Sequence, residues 1–114
     1  MDSNEVFRMI KQGEGERLEW KDSRILKDSF KLARSMTAIA NQKGGLILIG
    51  VKDDGTIEGM KGKKGHEEYI MNIATDRCNP PIRLTFQRIG VSRDACVYAL
   101  AIPRRKLDIY HGVI

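Results

Sequence analysis

The stretch TAIANQKGGLILIGVKDDGTIEG, residues 37–59, decides the fold of this chain. Asn41 and the Gly44-Gly45 pair predict the end of a helix, because the left-handed conformation found there favours Gly and tolerates Asn. Leu46–Ile49 is apolar without alternation, which is typical of a strand covered on both faces and therefore central in its sheet. Asp53-Asp54-Gly55 contains the residues of a tight hairpin turn.

The residues on either side of this stretch predict three helices and four further strands. The helices are expected at Ser3–Gln12, at residues 28–41 and at His66–Arg77, and the strands at Arg17–Lys21, Thr56–Met60, Ile82–Ile89 and Ala95–Ile102. Ala95–Ile102 is apolar on both faces, so we expect it to be a second central strand. The order α, β, α, β, β, α, β, β predicts an α+β fold, a mixed β-sheet with two long helices packed on it.

The composition bounds the class of protein. The length of 114 residues fits a single domain spanning residues 1–114. The net charge of +5 favours an anionic partner. No apolar run approaches the roughly 20 residues that span a bilayer, so no membrane partner is expected. The N-terminus lacks the apolar segment of a secretory signal, so we expect a cytoplasmic protein in which Cys78 and Cys96 are reduced.

Three basic clusters are candidate phosphate contacts. Their members are Lys27, Lys31 and Arg34 on the second helix, Lys61, Lys63 and Lys64 in a glycine-containing loop, and Arg104, Arg105 and Lys106 after the last strand. The helix members lie at i, i+4 and i+7 and so share one face. A solvated helix face and a solvated loop are the alternatives. The loop lacks the Gly-Lys-Ser/Thr ending of a phosphate-binding P-loop, so a Walker site is rejected.

Three carboxylates are candidate metal ligands. Glu19 lies on a predicted strand and shares a face with Lys21, Asp53 follows the central strand, and Glu14 lies in a flexible link. Phosphodiester hydrolysis on Mg²⁺ or Mn²⁺ needs converging oxygen ligands and gains from a nearby lysine. The alternative is structural, with Asp53 as a turn former, Glu19 as an exposed strand residue paired with a lysine, and Glu14 as a solvated loop residue.

Three motifs together resemble the Schlafen-type AlbA-like domain, a family also described as DNA-binding or divergent ATPase-like. They are E-x-x-x-x-E-W-K at residues 14–21, A-I-A-N-Q-K-G-G at residues 38–45 and I-G-V-K-D-D-G-T-I-E-G at residues 49–59. The resemblance covers nearly the whole chain. It implies a regulatory module that binds DNA or RNA and is commonly fused to other domains.

The resemblance also implies an alternative function. Similar domains in Schlafen proteins carry a metal-dependent endoribonuclease site for structured RNA such as tRNA, and its two glutamates and aspartate match Glu14, Glu19 and Asp53, with Lys21 beside them. Those enzymes pair two such domains, so we expect a homodimer or fusion to further domains. Trp20 stands where Phe is more usual. A third possibility, an ATP-binding regulatory domain, has no Walker pattern to support it.

Overall fold

A mixed four-stranded sheet forms the centre of the fold in a computed structural model, which describes residues 1–114. Along the chain the elements are α1 (Ser3–Gln12), β1 (Leu18–Lys21), a 3-10 helix (Ser23–Lys27), α2 (Ser29–Gln42), β2 (Gly45–Ile49), α3 (His66–Asp76), β3 (Cys78–Asn79), β4 (Thr85–Ser92), β5 (Ala95–Ile102) and β6 (Gly112–Val113). The strand order is β1-β2-β5-β4. Strand β1 is parallel to β2, and the other neighbours are antiparallel. The predicted α+β class, with β2 and β5 central, is confirmed.

The sheet is covered on both faces, which explains the unbroken apolar sequence of β2. Ile47 and Ile49 pack in the core beneath α2 and α3. Leu48, between them in sequence, packs on the opposite face with Trp20 and with Val6 of α1. Successive side chains of a strand point to opposite faces, so a central strand with a helix on each side needs apolar residues at every position.

The Gly44-Gly45 pair lets the chain pass from α2 to β2 through a narrow space. Gly44 has a φ of 73°, and its N–H donates to the carbonyl of Ile39 at 2.9 Å. A Cβ atom on Gly44 would lie 2.6 Å from the backbone nitrogen of Arg104, and one on Gly45 would collide with the backbone of Arg17. Glycine is therefore required here by close approach as well as by backbone conformation.

Two predicted strands differ from the structure. Residues 56–60 form no strand, because the carbonyl of Gly50 accepts both the Glu58 and the Gly59 N–H, and Met60 then pairs with Cys96 of β5. The strand expected at Ile82–Ile89 begins three residues later, since the N–H of Ile82 donates to the carbonyl of Ala74 in α3. Isolated bridges thus replace the second half of the hairpin.

The C-terminal segment, residues 103–114, has an ordered place that the sequence did not indicate. Its β6 pairs with β3 in a separate two-stranded sheet. The side-chain amide of Asn41 donates to the carbonyl of His111 at 2.9 Å and accepts from its N–H at 2.8 Å. These hydrogen bonds therefore hold the C-terminal segment across the C-terminal end of α2.

None of the helices is both long and apolar enough to cross a bilayer. Cys78 and Cys96 are free and buried, and burial raises the pKa of the Cys78 thiol to about 11. Cys78 therefore stays protonated and unreactive at neutral pH.

Candidate nucleic-acid interface

Glu19 and Lys21 form an ion pair on the face of β1 that packs against α2. The Lys21 Nζ lies 2.7 Å from Glu19 Oε1, and the Ser35 hydroxyl donates to the same oxygen at 3.2 Å. About a quarter of each charged side chain remains exposed, at 26% for Glu19 and 23% for Lys21. The predicted shared face is confirmed, and the carboxylate charge is balanced by its neighbours.

Glu14 accepts a hydrogen bond from the backbone at the edge of the sheet. Strand β1 is an edge strand, so the outward N–H of Trp20 has no neighbouring strand to pair with. A side-chain oxygen of Glu14 accepts that N–H at 3.1 Å. Unpaired strand edges invite association with other chains, so this contact also protects the edge.

Asp53 is exposed in the turn that follows β2. It lines a shallow groove whose other walls include Lys21, Asp22 and Lys31. Side-chain and backbone hydrogen bonds from Arg24 lower the pKa of the Asp22 carboxyl in this groove to about 2. Asp53 and Lys21 thus line the same groove.

The three predicted ligands do not form a ready metal site. No three His, Cys, Asp or Glu side chains are grouped so that they could hold a metal ion. Glu14 accepts a hydrogen bond from the backbone N–H of Trp20. Glu19 forms an ion pair with Lys21 and accepts a hydrogen bond from Ser35. Glu14, Glu19 and Asp53 as arranged thus do not fit one shared Mg²⁺ or Mn²⁺, and catalytic roles for these residues and Lys21 stay a prediction.

The basic residues near the start of α2 share an exposed surface with an aromatic ring. Lys27 is the last residue of the 3-10 helix, while Lys31 and Arg34 belong to α2, and all three are exposed. The Arg34 guanidinium lies 5.2 Å from the centroid of the Phe30 ring, and Phe30 is 51% exposed. This surface offers both positive charge and an exposed aromatic ring.

The basic loop, residues 61–65, is held against the sheet. The Lys63 N–H donates to the hydroxyl of Tyr98, a side chain that is only 1% exposed. The same hydroxyl bonds to Nδ1 of His66. Burial, together with the charge of Lys63, lowers the pKa of His66. The loop backbone is therefore fixed while Lys61, Lys63 and Lys64 remain exposed.

In the third basic cluster, Arg105 stabilises the fold, whereas Arg104 and Lys106 lie exposed on the surface. The Arg105 N–H donates to the Ala40 carbonyl at 2.8 Å, and its Nε donates to the Asn41 carbonyl at 3.2 Å. Arg105 therefore caps the C-terminus of α2, where a positive charge is favourable. Arg104 and Lys106 are exposed and line a groove with Arg83.

The nine predicted phosphate contacts have no acidic partners. The three ion pairs of the structure are Lys21–Glu19, Arg24–Asp22 and Lys43–Glu16. None of the nine takes part in an ion pair, and all but Arg105 are exposed. They do not form one cluster, because Arg104 lies beside Gly44 at the start of β2 whereas Lys63 lies beside Tyr98, the partner of Ile49 at its end.

The family model described as Schlafen, AlbA_2 matches residues 14–112. This chain belongs to the Schlafen AlbA_2 family. The solution structure of the N-terminal domain of a Nitrosomonas europaea protein, described as related to the ATP-dependent DNA helicase RecG, shares its fold with a TM-score of 0.72. The two chains are 18% identical, and the similarity covers 94% of this chain and 76% of the other. None of the curated proteins matches this chain.

This Schlafen AlbA_2 domain has basic residues on β4 and in the turn after it that sequence reasoning missed. Arg88 and Arg93 line a groove with Lys61. The Arg88 guanidinium lies against Gly62, where a Cβ atom would come within 2.5 Å of Nη2 and 2.6 Å of Nε. Arg88 lies two residues after Phe86 and so on the face of β4 that packs against the core beneath α2 and α3. Nothing in the sequence of β4 indicated that the basic loop folds onto this face.

Proposed function

We propose that this Schlafen AlbA_2 domain is a nucleic-acid-binding module. The observation that carries the proposal is the set of nine cationic side chains without an acidic partner, eight of them exposed. Exposed cations that have no acidic partner are available to the phosphates of a partner. The description of the structural neighbour as related to a DNA helicase is consistent with this function.

The module would bind chiefly through phosphates, which are the same in every nucleotide. Lysine and arginine side chains on α2, in the basic loop and near Arg104 contact the backbone, and such contacts position a nucleic acid without reading its sequence. We therefore expect little sequence preference. Binding releases counterions from the nucleic acid, so affinity falls as salt rises.

The test is fluorescence anisotropy of labelled DNA and RNA over a series of salt concentrations. If about four cations meet phosphates, log affinity falls against log salt with a slope of roughly −3 to −4. Lys31→Gln and Arg104→Gln each remove one unpaired cation, whereas Lys43→Gln removes a cation already paired with Glu16 and is the matched control. Salt-insensitive affinity, or no binding at low salt, would contradict the proposal.

A metal-dependent endoribonuclease is the second candidate function, and it requires Glu14, Glu19 and Asp53 to leave the arrangement described above. The observation that favours it is the Glu19–Lys21 ion pair, whose lysine lines the same groove as Asp53. The test is incubation of tRNA and single-stranded DNA with and without Mn²⁺. Cleavage that requires Mn²⁺ and is lost in Asp53→Ala, with salt-sensitive binding retained, would establish the activity. Binding in EDTA, with no cleavage in the presence or absence of Mn²⁺, would contradict the nuclease function and leave nucleic-acid binding as the function.

A further inference from the structure

The exposed face of α2 carries an aromatic ring beside an arginine at each of its ends. Phe30 lies at the start of the helix with Arg34 over its ring. At the other end the Arg105 guanidinium lies 3.9 Å from the centroid of the Tyr110 ring. Both rings are more than half exposed, at 51% for Phe30 and 64% for Tyr110.

The second ring belongs to the surface of α2 although it comes from the C-terminal segment. Arg105 is bonded to the carbonyls of Ala40 and Asn41, and the residue after Tyr110 is bonded to the Asn41 side chain. Phe30, Arg34 and Asn41 lie at i, i+4 and i+11, which places them close to one line along the helix. At 1.5 Å per residue, the two ends of this line are about 16 Å apart.

We propose that this face of α2 binds single-stranded nucleic acid and that Phe30 and Tyr110 each stack one base. The proposal rests on the proposed function and deepens it by naming the strand state. Bases in a duplex are already stacked on one another, whereas those of a single strand can stack on aromatic side chains. The axial distance of about 16 Å between Phe30 and Asn41 corresponds to roughly five nucleotides at a stacked spacing of about 3.4 Å.

The charges between and beside the rings suit the backbone of such a strand. Lys27, Lys31 and Arg34 are exposed and have no acidic partner. Asp28, the nearest carboxylate in sequence, accepts the Lys31 N–H as the cap of α2. Phosphates can therefore meet cations on the face that carries both rings, a combination typical of proteins that bind single strands.

The experiment compares three labelled probes at constant salt: a single-stranded DNA of about twelve nucleotides, the RNA of the same sequence, and the DNA duplex. Phe30→Leu and Tyr110→Leu remove a ring and keep an apolar side chain. Each is expected to weaken single-strand binding by about 5- to 150-fold, the range for one base stacked on an aromatic ring. Duplex affinity should stay unchanged.

Two controls separate stacking from other effects. Phe7→Leu removes a ring that is 38% exposed on α1, across the sheet from α2, and should leave every affinity unchanged. Tyr110→Phe removes the hydroxyl that accepts from Arg105 Nη2 and keeps the ring, so binding should persist. Urea unfolding of each variant tests whether the fold is retained.

The outcomes separate base stacking on Phe30 and Tyr110 from nucleic-acid binding in general. A loss confined to the DNA or to the RNA single strand supports stacking and identifies the partner. Unchanged single-strand affinity in Phe30→Leu and Tyr110→Leu, or an equal loss for duplex, overturns the stacking proposal and leaves salt-sensitive binding in place. Absence of binding to all three probes at low salt overturns both.

Discussion

Gly62→Ala should weaken nucleic-acid binding without removing a charge. A Cβ at residue 62 would lie 2.5 Å from Nη2 and 2.6 Å from Nε of Arg88. Unbonded heavy atoms pack at about 3.5–4.0 Å, so the guanidinium must move by roughly 1 Å or more. Because it is the end of a flexible side chain, the fold should tolerate the change, while Arg88 leaves the groove it shares with Lys61 and Arg93.

The expected magnitude is the loss of one phosphate contact. Each contact contributes about −0.9 to the slope of log affinity against log salt. For a contact that contributes nothing at about 1 M salt, this slope corresponds to an affinity loss of roughly eightfold at about 0.1 M salt. Gly62→Ala should therefore make the slope shallower by about 0.9 and weaken binding to that extent, measured by anisotropy over a salt series. Arg88→Gln should give a similar result.

The matched control is Gly65→Ala in the same loop. A Cβ at Gly65 would meet no atom within 4 Å, and neither glycine has a positive φ. Replacing glycine also restricts the unfolded chain, but that effect changes stability and not the affinity of the folded domain. Equal affinities for the two alanine variants, with Arg88→Gln still weakened, would refute the steric argument. No effect of Arg88→Gln would remove Arg88 from the interface.

Three further predictions concern stability and assembly. Burial and the charge of Lys63 lower the pKa of His66 below its ordinary 6.5, so the unfolded chain takes up the imidazole proton at a higher pH than the folded chain does. The free energy of unfolding should therefore fall as the pH drops from 6.5 through the lowered pKa of the folded state. Urea unfolding should show this fall reduced in His66→Gln. Glu14→Ala should cost about 1 kcal/mol by removing the acceptor of the Trp20 N–H, whereas Glu14→Gln should cost less. Light scattering at micromolar protein should give twice the chain mass, and a monomer mass with and without nucleic acid would contradict the expected dimer.

Much of the fold could be predicted because its signals are local. The unbroken apolar runs of β2 and β5 reflect burial on both faces, and the period of α2 reflects packing on one face. The failures have a common cause. The pairing of β6 with β3 joins residues more than 30 positions apart, and Met60 leaves the hairpin to pair with Cys96. Neither preference can be read from a short window of sequence.

The candidate sites divide in the same way. That Glu19 and Lys21 share a face followed from strand alternation, and their ion pair is present. The bond of Glu14 to the Trp20 amide depends on β1 being an edge strand, which sequence patterns do not reveal. Arg88 joins the basic loop only because Gly62 has no side chain. A count of charges found the clusters but could not show which cation, such as Arg105, caps a helix.

The fastening of the C-terminal segment gives this domain a mechanical property. The Ile114 N–H donates to the Arg77 carbonyl, and His111 is bonded to Asn41 of α2 and to Pro80. Tension on the backbone at Ile114 is therefore carried first by these hydrogen bonds, with α2 as one of the two supports. A load sufficient to pull this segment away would take Tyr110 from the end of α2 and leave the Ala40 and Asn41 carbonyls uncapped. The load would therefore act on the helix for which we propose nucleic-acid binding.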